Sequence, residues 1–72
     1  MTTRPFVNSA TDVVNAIADI NSAKGDSETA HLMEDELYAQ VLGAVVAGHP
    51  EAKQMARYAL KTKDISFARW YA

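Results

Sequence analysis

Apolar positions recur at helical spacing in three stretches of this chain. From residue 10 to about 24, Val13, Ile17 and Ile20 fall at i, i+4, i+7, the stripe of an amphipathic helix. From residue 29 to 48, TAHLMEDELYAQVLGAVVAG carries two stripes. One is Ala30, Met33, Leu37, Val41, Ala44 and Val45; the other is Leu32, Ala39, Leu42 and Val46. A helix needs one apolar face to sit on a core, so a helix apolar on two sides must be covered on two sides. From residue 50 to 63, Ala52, Met55, Ala56, Ala59 and Leu60 form a narrower, alanine-lined side, with Tyr58 on its flank.

The punctuation agrees with three helices. Ser9 or Thr11 is placed to cap the first, with Ser9 and Asp12 spaced as an approximate capping box. Gly25 reads as a left-handed stop, Ser27 or Thr29 as the next cap, and Gly48 as the end of the second helix. Pro50 suits a first helical turn, where its missing N–H costs nothing. Pro5 disfavours helix at Arg4, so residues 1–8 are expected to form an extended arm. The closing segment is rich in Ile65, Phe67, Trp70 and Tyr71 and is expected to dock on the helices. The fold expected is all-α: one domain over residues 1–72, a three-helix bundle with a docked aromatic C-terminal tail.

Length sharpens the question of what covers the second stripe. A chain of 72 residues buries only about 60% of its unfolded surface, and many of its apolar residues are small alanines. With no cysteine, neither a disulfide nor a thiolate metal site can staple such a core. Oligomerisation is the remaining route. The second stripe is therefore expected to be a homodimer or partner surface, with Gly43 beside it to permit close approach. The alternative is that Phe67 and Trp70 fold over it.

Charge is unevenly spread. Residues 1–48 hold two basic and seven acidic side chains, net −5; residues 49–72 hold five basic and two acidic, net +3. Lys53, Arg57 and Lys61 form one basic ridge at i, i+4, i+8. Like charges at that spacing repel, which calls for an acidic partner, a phosphate backbone, or pairing with Glu34 and Glu36 within the chain; the plain alternative is a solvated face. A nucleic-acid-binding helix-turn-helix is the rival reading. Against it, Gln54 and Arg57 stand where that motif needs buried apolar residues, and the net charge of −2 is acidic.

No chemistry is written in the motifs. His31 with Glu34 and Asp35 puts a nitrogen and carboxylates on one helical face, but His49 is a helix away and no metal set assembles. No Gly-rich phosphate loop and no nucleophile–base spacing occurs, so neither enzymatic activity nor a cofactor is expected. The aromatics Phe67, Trp70 and Tyr71 are either a binding anchor or core closing the bundle. The opening residues lack a basic region followed by an apolar run, and no stretch approaches the ~18 apolar residues of a membrane span, so a cytoplasmic protein is expected.

The segment DELYAQVLGAVVAGHPEAKQMARYALKTKDISFARWYA resembles small uncharacterised helical proteins of bacteria and their phages. The likeness lies in the acidic helix start, the short Gly-containing turn, the alanine-rich helix and the ending Phe67, Arg69, Trp70. It implies a bacterial or phage origin and carries no activity over. The function expected is a small non-catalytic protein–protein interaction module.

Overall fold

The computed structural model describes residues 7–67. Three α-helices pack as a bundle: α1 (Ala10–Ser22), α2 (Ser27–Val46) and α3 (Ala52–Ala59). The last continues directly into a 3₁₀ turn, η1 (Leu60–Asp64). The expected arm and tail fall partly outside the described residues, with Trp70 and Tyr71 among those not described.

The core is what the first stripe of each helix predicts. Val13 and Ile20 of α1 meet Ala30, Met33, Leu37 and Val41 of α2, and Met55 and Ala59 of α3 close the third side. Val7, Ile65 and Phe67 pack half-buried against this cluster, so the chain on either side of the bundle contributes to it. Three expected core positions do not belong: half-buried Ala52 packs outside the cluster, and Val45 and Leu60 are exposed. Val45 is 49% exposed and Leu60 58%. Val45 stands at the outer limit of its stripe. Leu60 is five residues on from Met55, which turns it some 140° away from the core on a helix.

Helix ends follow local chemistry, with corrections. Ser9 accepts the Asp12 N–H on its hydroxyl, as expected. The return bond from Asp12 goes to the Asn8 N–H, 2.9 Å away, one residue earlier than in a capping box. Asp26, rather than Ser27 or Thr29, caps α2, accepting from the N–H and hydroxyl of Thr29. Helix α1 stops at Ser22 without a left-handed residue at Gly25. Gly48 does adopt φ 74°, where a side chain would be strained. Its N–H bonds the Val45 carbonyl and the His49 N–H bonds that of Ala44, the paired closure of a Schellman motif. Pro50 belongs to the turn that follows, and α3 begins at Ala52.

Three side chains from α2 and this turn fasten the start of α1. Gln40 Oε1 accepts the Val7 N–H at 2.8 Å. Glu51 Oε1 accepts the Ala10 N–H at 3.1 Å, satisfying one of the donors that a helix N-terminus leaves open. His49 Nε2 meets the Asn8 carbonyl at 2.8 Å. Residues 7–10 are thereby held across the end of the bundle.

Candidate functional site

The surface that the bundle leaves apolar is the outer face of α2. On a helix of 3.6 residues per turn, Leu32, Ala39 and Val46 repeat every seven residues and align, with Leu42 and Gly43 on either side of that line. The line lies opposite Ala30, Leu37 and Val41, which are in the core. Leu32 is 68% exposed, Leu42 64% and Val46 88%. Ala39 and Gly43 are exposed between them, and a side chain added at Gly43 would meet nothing within 4 Å. A trough of about 540 Å³ runs along one edge, lined by Ala39, Gly43, Ala44 and Ala47 with Val7 and Asn8 of the fastened segment. Soluble monomers rarely expose large contiguous apolar patches without a use for them.

Charge frames this face unevenly. Its N-terminal half carries exposed Glu28 and Asp35, with Glu36 half-buried beside them. Glu34, by contrast, points inward and is 3% exposed. Its C-terminal half carries no charge. The basic ridge lies on the neighbouring element: Lys53, Arg57 and Lys61 are all exposed. Among the described residues none of the three makes an ion pair, so the intramolecular pairing with Glu34 and Glu36 does not form. Among the described residues, His31 Nε2 lies 3.5 Å from Asp35 Oδ1, one turn apart on α2.

No protein-family model, curated protein or solved structure matches the chain.

The remaining expected site residues are dispersed. Phe67 packs half-buried on the core rather than on the outer face of α2, while Trp70 and Tyr71 lie outside the described residues. A second cleft, of about 230 Å³, separates α1 from α2. Asp12, Asp19 and Glu36 stand at its mouth and Ile20, Met33 and Leu37 at its floor. Among the described residues no three metal-ligating side chains come together, and no described helix is long and apolar enough to cross a membrane. Sequence reasoning missed the buried polar pair at the α2–η1 contact. Tyr38 hydrogen-bonds the hydroxyl of Thr62, which is wholly buried. A tyrosine on the flank of a core stripe and a threonine among lysines gave no periodic signal for it.

Proposed function

We propose that this protein is a small non-catalytic interaction module that works by self-association through the outer face of α2. The carrying observation is the exposure of Leu32, Leu42 and Val46 on a helix whose opposite face is already core. Helix α1 and α3 both pack on the inner side, so neither covers these residues.

A two-fold pair would bury the same patch from both copies at once. Fully burying a leucine or valine is worth about 1.5–3 kcal/mol, and these side chains are already about one-third covered or less, so each would regain roughly 1–2 kcal/mol. Six of them across a symmetric interface give on the order of 6–12 kcal/mol. Association costs roughly 4–15 kcal/mol before any gain appears. The balance describes a dimer that dissociates on dilution, not a permanent one. Small Ala39 and Gly43 at its centre let the two helices approach closely. Sedimentation velocity across a dilution series tests this: a monomer–dimer equilibrium is expected, and a monomer at every concentration contradicts it.

One observation favours a second reading. The basic ridge along α3 and η1 is exposed and, among the described residues, without ion pairs, as a phosphate-binding surface would be. The overall net charge of −2 weighs against it. Binding to random duplex DNA that weakens steeply with salt, and less steeply in the Lys53→Gln, Arg57→Gln, Lys61→Gln variant, would support that reading.

A further inference from the structure

We infer that two copies pair through α2 in antiparallel sense, with the acidic half of one helix against the half flanked by the basic ridge of the other. The inference rests on the self-association proposed above and adds its geometry.

Its basis is the division of charge along the molecule. Glu28 and Asp35 are exposed on the N-terminal half of α2, while the outer face of the C-terminal half is Ala39, Leu42, Gly43 and Val46. The chain reverses after α2, and η1 then meets α2 at its middle, where Tyr38 bonds Thr62. Helix α3 therefore runs back alongside α2 and leads into η1, which packs on α3 and α1, and Lys53, Arg57 and Lys61 are exposed along this stretch. Leu42 is one turn on from Tyr38, and Lys61 adjoins Thr62, so both border the same contact.

Pairing sense decides what each charge meets. In a parallel pair the like halves align, so Glu28, Asp35 and Glu36 of the two copies stand at the same level, acid against acid. In an antiparallel pair centred on Ala39, Asp35 of one chain lies level with Gly43 of the other, and Leu32 level with Val46. The two-fold axis of such a pair keeps corresponding edges of the two helices on one side. Asp35 and Leu42, seven residues apart, share an edge. Asp35 of each copy is therefore carried to the edge that Lys61 of the other copy borders. This arrangement uses the exposed apolar face, the acidic half and the unpaired ridge together. It also brings the Asp35 carboxylate, which lies beside His31 in its own chain, toward Lys61, which makes no ion pair among the described residues.

Because the chain has no cysteine, a single introduced one gives an unambiguous label. Ala47 is exposed at the rim of the face, eight residues from Ala39. Spin labels on Ala47→Cys should lie about 24 Å apart along the helix axis in the antiparallel pair. A parallel pair leaves them level along the axis, separated only across helices whose axes lie about 8–10 Å apart. A separation in the longer range supports the inference. A separation in the shorter range overturns it while leaving self-association standing. No dipolar coupling, with sedimentation reporting a monomer, overturns both.

Charge reversal provides a second, independent reading on the intact chain. Asp35→Lys and Lys61→Glu should each weaken dimerisation several-fold, and the double variant should recover most of the loss. Two single losses that merely add in the double variant would contradict the antiparallel contact.

Discussion

The imidazole Nε2 of His49 lies 2.8 Å from the backbone carbonyl of Asn8, a residue 41 positions earlier in the chain. The other ring nitrogen, Nδ1, faces the Glu51 N–H at 3.0 Å. An N–H donates, so Nδ1 must accept, and the ring proton then resides on Nε2, where it is given to Asn8. Both hydrogen bonds thus require a neutral ring in one tautomer. His49 joins the α2–α3 turn to the segment that begins α1, in parallel with the Glu51–Ala10 bond.

His49→Ala removes both bonds at a partly exposed site, where water can take over in part. A loss of about 1 kcal/mol in unfolding free energy is expected, read from urea denaturation. Nitrogen-15 NMR of the ring at neutral pH should find the proton on Nε2. A proton on Nδ1 would show the Glu51 contact to be misassigned.

Tyr38 and Thr62 make the polar link between α2 and η1, and Thr62 is wholly buried. Tyr38→Phe keeps the ring packing and removes one partner of this bond. It should cost about 1–2 kcal/mol and speed amide exchange in η1 more than in α1. Uniform exchange across all three helices would argue that the bond does not anchor η1.

Asp26 supplies an acid-sensitive contribution. The N–H of Thr29, and then its hydroxyl, both donate to the Asp26 carboxylate and hold its pKa below the ordinary value of 3.8. A pKa lowered by folding stabilises the native state above the unfolded value. That contribution is lost as pH falls below about 3.8 and through the lower folded value. Asp26→Asn retains a capping oxygen but has no charge to titrate. It should stay close to the parent in stability at pH 7 and flatten this part of the acid limb of the stability–pH curve. An unchanged acid limb would mean that Asp26 contributes nothing to it.

The parts of the fold legible in the sequence are those with periodicity. Val13 and Ile20, Ala30 and Leu37, and Met55 and Ala59 repeat at helical spacing, and all are buried. The second stripe of α2 was legible for the same reason. Leu32, Ala39, Leu42 and Val46 could be seen to share a face that the inner stripe does not use, and they are exposed. The illegible parts depend on contacts between distant residues. Gln40, His49 and Glu51 are ordinary surface types, and only the return of the chain puts them against residues 7–10. Glu34 read as a partner for the basic ridge because an antiparallel third helix would bring its basic end beside Glu34 and Glu36. Helical phase instead turns it inward with Leu37 and Val41. Gly25 and Gly48 looked alike as stops, yet Gly48 alone takes the left-handed turn, because there the chain must reverse tightly into α3.

If the outer stripe of α2 is a surface and not core, it should tolerate a pair of aspartates. In the Leu42→Asp, Val46→Asp double variant, thermal unfolding followed by circular dichroism should be measured alongside light scattering over a dilution series. A helical, cooperatively melting protein is expected, one that remains a monomer at concentrations where the parent chain dimerises. An unfolded variant would show these residues to be core, and a variant that still dimerises would show that the interface lies elsewhere.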